Sequence, residues 1–132
     1  MNKSKEIIES IPIYIDKIHP ICKKYQITNE ELIKELVRFL NLIHITSKTL
    51  SPSNIVDLAW HELILFTRFY EKFCKKHYNR FIHHTPSKSE RPDIYLNTIQ
   101  LYMKEFGQPH PIIWGTISQE EWELNNCGSC LN

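Results

Sequence analysis

Apolar residues recur at helical spacing along most of the chain. In KSKEIIESIPIYIDKIHPICKKY, Ile7, Ile8, Ile11, Ile15, Ile18 and Cys22 fall roughly on one side. Pro12 and Pro20 stand where they would kink or interrupt that helix. In TNEELIKELVRFLNLIHIT, the stripe Leu32, Leu36, Phe39, Leu40 and Ile43 follows Thr28 and Glu31, a capping-box pair that starts a helix. After the polar turn SKTLSPS, with Pro52 where a first helical turn tolerates it, the period resumes from about residue 53 and runs to about 78. Within that span Ile55, Leu58, Ala59, Phe66, Phe69, Tyr70 and Phe73 share a broad face, while Val56, Trp60 and Ile64 cover much of another. A helix apolar on most sides is expected at the centre of a bundle.

Asn79 is suited to a left-handed helix end, and NRFIHHTPSKSERP reads as a loop with a short extended piece at RFIHH. A further helix, DIYLNTIQLYMKEFG, closes at Gly107. QPHPIIWG reads as a proline-rich turn, and Ser118 with Glu121 as a second capping box before a short last helix. No series of strand signals appears. The expected fold is all-α, a compact bundle of four or five helices around a central helix at about 53–78. It forms one domain over residues 1–126, followed by a cysteine-containing tail at 127–132.

Composition narrows the functions. The chain has 132 residues, room for a single core, and 42% of them are hydrophobic. Its 16 basic and 15 acidic residues nearly cancel, so no electrostatic footprint for nucleic acid or an anionic membrane is present. No apolar run suits a signal peptide or reaches the roughly 18 residues of a membrane span. The expected location is therefore cytoplasmic. There the four cysteines are reduced thiols, ligands or core residues before they are a disulfide framework.

The candidate chemistry centres on VDLAWHELIL. His61-Glu62 is the first half of the zinc-protease signature H-E-x-x-H, but Leu65 stands where the second histidine must be, and leucine cannot ligate. What remains on this helix is a narrow polar stripe of Asp57, His61 and Arg68. Asp57 and His61 are four residues apart and therefore neighbours. A carboxylate beside a histidine fixes its tautomer, raises its basicity or shares a metal. Cys74 lies about 20 Å along a straight helix from His61, so the two cannot share a metal shell. The loop pair His83 and His84 can return within reach of His61, one of them facing inward. The terminal Cys127-Gly128-Ser129-Cys130 supplies two further thiols. His61, one of His83 and His84, Cys127 and Cys130 would suit tetrahedral zinc, with Asp57 as ligand or support. The other reading is a hydrogen-bonded polar patch with no metal.

One longer pattern joins these residues. PSNIVDLAWHELILFTRFYEKFCKKHYNRFIHHTP resembles small bacterial proteins labelled glycine-rich domain-containing. Their pattern is P-S, V-D-x-x-W-H-x-x-I-L-x-T, Y-x-x-x-C and F-[IL]-H-H-x-P, and LYMKEFG, a tryptophan and CGSC resemble their second half. The resemblance spans roughly residues 50–130. Many of those proteins carry a histidine where this chain has Leu63. The resemblance implies that Asp57, His61, His83 and His84 act as a set, and it implies no activity.

Three expectations follow. The first is a protein binding a divalent metal, zinc foremost, through His61 and the His83/His84 loop. The second is a non-catalytic structural or protein-interaction module built on a buried hydrogen-bond network of Asp57, His61 and that loop. The third is an enzyme with an open metal position, although no nucleophile motif, phosphate loop or dinucleotide fingerprint accompanies it.

Overall fold

The computed structural model describes residues 2–84 and 92–126, and every element among them is a helix. In chain order they are α1 (Lys3–Ser10), α2 (Ile13–Tyr25), α3 (Asn29–Ile45), α4 (Asn54–Ile64), α5 (Thr67–Tyr78), α6 (Pro92–Phe106) and α7 (Pro111–Asn126). The all-α class stands, but the described residues form seven helices where four or five were expected. Several starts and stops have local causes. Thr28 and Glu31 close the capping box of α3, Glu31 N–H donating to Thr28 Oγ1 and Thr28 N–H to Glu31 Oε1. Ser53 caps α4 through Val56 N–H at 3.1 Å. Asn79 ends α5 in the left-handed region at φ 59°.

The expected helix over 53–78 is two helices. Phe66 leaves helical geometry at φ −84°, ψ 68°, and its N–H bonds back only three residues, to Leu63 O. The inward residues of α4 (Ile55, Val56, Ala59, Trp60, Leu63) and of α5 (Tyr70, Phe73, Cys74, Tyr78) would lie within about 140° of one another on one straight helix. The apolar stripe therefore crosses the break without changing phase, and periodicity alone joins the two halves. At the break Phe66 meets the Tyr14 ring of α2 edge-on at 6.0 Å, a contact a local period does not register. Leu58, expected on the inward face, is exposed.

The core is shared between two helices rather than built around one. α3 packs on α1, α2, α4 and α6, and α4 packs on α2, α3, α5 and α7. Leu32, Ile33, Leu36, Phe39, Leu40 and Leu42 of α3 are fully buried, as are Val56, Ala59 and Leu63 of α4. Burying a Leu, Ile, Val or Phe side chain contributes about 1.5–3 kcal/mol.

The C-terminal third differs from expectation too. The proline-rich turn before Gly115 is the first part of α7. Pro111 sits in its opening turn, where a missing N–H costs nothing, and His110 Nδ1 accepts from Ile113 N–H. The backbone then breaks at Gly115, φ 82° and ψ −169°. Ser118 does not cap a helix. It is fully buried, and its hydroxyl donates to Gly115 O at 2.6 Å.

Candidate functional site

The segment after Asn79 lies against α4 and α5. Ile82 is buried, and its carbonyl accepts the Tyr70 hydroxyl at 2.5 Å. The same hydroxyl accepts from the Trp60 indole N–H at 3.0 Å. One buried tyrosine thus joins the first helix of the pair, the second, and the returning chain. Two residues further on, the His84 Nε2–H donates to Asp57 Oδ1 at 2.5 Å. The His84 side chain is only 10% exposed, and its ring packs edge-on against Trp60 at 4.5 Å. Asp57 belongs to the first turn of α4, where the helix dipole favours a carboxylate. Burial pushes the Tyr70 hydroxyl well above the ordinary tyrosine range, against a smaller opposing effect of the Trp60 hydrogen bond. It remains an O–H donor at every physiological pH.

The candidate residues separate here. Asp57 and His84 are bonded. His61 is exposed, and its ring stands perpendicular to that of His84 at 5.8 Å. His83 faces the other way, exposed, with its ring against Phe81 at 4.6 Å. Cys127 and Cys130 lie outside the described residues. Cys74 is fully buried; burial raises its thiol pKa, as it does for Cys22. Leu63 is fully buried and belongs to the core.

Among the described residues no group of three or more His, Cys, Asp and Glu is placed to hold a metal ion. The 2.5 Å between His84 Nε2 and Asp57 Oδ1 is a hydrogen-bond distance. Two ligands flanking one tetrahedral zinc stand about 3.3 Å apart.

Residues 4–97 match the model of the UCP032817-like family. The chain belongs to that family. The match runs from α1 into α6 and takes in the whole Asp57–His84 arrangement. It corrects the resemblance to glycine-rich domain-containing proteins, which rested chiefly on about 35 residues of one helix pair and its loop. No curated protein and no solved structure matches.

The central bond of the site, Trp60 to Tyr70 to Ile82, was missed by sequence reasoning, which assigned Tyr70 to the core by default. The available signal was the residue type, because a buried Trp or Tyr brings a polar end that needs a partner. A second buried polar cluster went unread. Glu35 of α3 is 3% exposed, and its carboxylate accepts from the Trp114 indole at 2.9 Å and from the Tyr102 hydroxyl. Arg38 reaches Glu35 at 3.4 Å and Tyr102 at 2.8 Å.

Proposed function

We propose that this chain is a non-catalytic interaction module, and that the residues resembling a metal site form a latch holding the segment 79–84 against α4 and α5. The observation that carries this reading is the pair of bonds made by that segment, Tyr70 hydroxyl to Ile82 O and His84 to Asp57. The latch fixes Phe81, which is 40% exposed. Leu58 and His61 on α4 and Leu65 just past its end share one outer face by spacing and are all exposed. This apolar rim around His61 is the surface the module would present to a protein partner.

Thermal and chemical unfolding test the latch. Asp57→Ala is expected to lower stability by about 1–3 kcal/mol, because it leaves the largely buried His84 ring unpaired, and His84→Ala is expected to lower it as well, through the packing lost against Trp60. His61→Ala is expected to change it by less than about 0.5 kcal/mol, as befits an exposed side chain. Equal losses at His61 and His84 would overturn the reading.

A second reading, zinc held by Asp57, His61 and His84, draws support from the two neighbouring imidazole rings and from Asp57 one turn before His61. It requires His84 to exchange its proton for the ion. Elemental analysis after purification in zinc-containing buffer decides between the two. One equivalent of zinc, lost in His61→Ala, would establish the metal reading. Metal-free protein with unchanged melting on zinc addition would remove it.

A further inference from the structure

A cleft that the latch does not use lies at the N-terminal end of α4. It lies between Tyr25 at the end of α2, the residues leading into α4, the start of α6, and the break in α7. Its volume is about 520 Å³, inside the roughly 300–1,000 Å³ of small-molecule sites. Tyr25, Tyr95, Pro52, Pro92, Ile112 and Ile117 contribute flat or apolar walls, and Thr116 is the hydroxyl-bearing residue that lines the cleft beside Gly115.

The far wall is shaped by Gly115. Its backbone angles, φ 82° and ψ −169°, belong to a region that essentially only glycine occupies. A Cβ there would meet nothing within 4 Å, so glycine is required by the backbone turn and not by crowding. The turn sets the residues before and after it on the same cleft. It also leaves Ile112 and Ile117 each 46% exposed at its edges. Residues 112–117 fall outside the matched span 4–97, whereas Tyr25, Pro52 and Tyr95 fall inside it. The cleft therefore joins residues inside the matched span to a wall formed by residues outside it.

We propose that this cleft binds a small organic molecule with a flat apolar body and a hydrogen-bonding end. The tyrosine rings and prolines would stack on the body, and Thr116 would meet the polar end. The proposal is independent of the latch.

The test is fluorescence titration of the full chain with 2-naphthol, a flat neutral bicyclic aromatic with one hydroxyl at its end. Saturable binding at one site per chain is expected. Ile117→Glu should weaken it at least tenfold with unchanged melting, and Ile112→Glu should do the same if Ile117→Glu folds poorly. Leu124→Glu, on α7 but not lining the cleft, should leave affinity unchanged. Absent or non-saturating binding would overturn the proposal. So would equal weakening by Leu124→Glu, or unchanged affinity in either well-folded cleft variant.

Discussion

At Tyr70 a single hydroxyl serves two distant segments, accepting from Trp60 and donating to Ile82 O. Tyr70→Phe keeps the ring and its packing but leaves the indole N–H and the carbonyl buried without that partner. A loss of about 1–3 kcal/mol in unfolding free energy is expected. Hydrogen exchange at the residue 80–84 amides should speed up, because the segment loses one of the bonds that attach it. Unchanged stability would mean that the Tyr70 hydroxyl does not hold the segment. Only part of this was legible beforehand. Asp57 and His61 on one helix face, and a loop histidine returning to that face, follow from spacing and chain reach. Which histidine faces inward does not. His84 is chosen because Ile82, an even number of residues before it, must be buried, and alternation along the extended chain turns His83 outward.

Among the elements, the break in α7 carries the sharpest expectation. Gly115→Ala is expected to destabilise by about 1–3 kcal/mol, the cost of holding a side-chain-bearing residue in that backbone region. The added methyl itself meets open space. A neutral substitution, read by thermal melting, would show that the backbone can relax there. The α4–α5 break teaches the complementary lesson. Gly115 has a residue type that announces an unusual backbone, whereas Leu65-Phe66 contains neither glycine nor proline. Nothing local marks the second break, because its stripe keeps one phase, and the contact made there, Phe66 with Tyr14, is with a residue remote along the chain.

Across the molecule, polar pairs tie elements that are far apart in sequence. Glu6 of α1 meets Lys76 at 2.6 Å and His77 at 2.9 Å, both on α5. Glu31 of α3 meets His110 at 2.7 Å just before α7. Burial pushes the Glu6 carboxyl up, but the Lys76 and His77 hydrogen bonds outweigh it and leave it below its ordinary 4.5. The Thr28 N–H, then His110, likewise lower Glu31. A carboxylate depressed on folding stabilises the fold above its unfolded value, and that stability is lost as pH falls through the folded value. Denaturation midpoints should therefore fall below about pH 4.5. The gap between wild type and Glu6→Gln, present near pH 6, should close as pH falls below 4.5 and through the lowered folded value. A gap independent of pH would exclude the charge as its cause. At the buried end, Glu35→Ala would leave Tyr102, Trp114 and part of Arg38 without their acceptor. A loss of about 3 kcal/mol is expected in denaturant titration.

The sequence by itself determined the all-helical class, the capping box of α3, the ends at Asn79 and Gly107, and the presence of Asp57 and a loop histidine within reach of each other. These depend on local spacing, local backbone preference and chain length, all of which a sequence contains. Among the described residues no helix is long and apolar enough to cross a membrane, in keeping with the hydropathy of the chain. Tertiary structure alone decided the rest. It divided the expected central helix, shared the core between α3 and α4, buried Glu35 among aromatic donors, and gave the inward place to His84 rather than His83. Each of these is settled by a contact between residues remote along the chain. The free energy of such a contact depends on what the other element brings to it, and no window of sequence contains both sides.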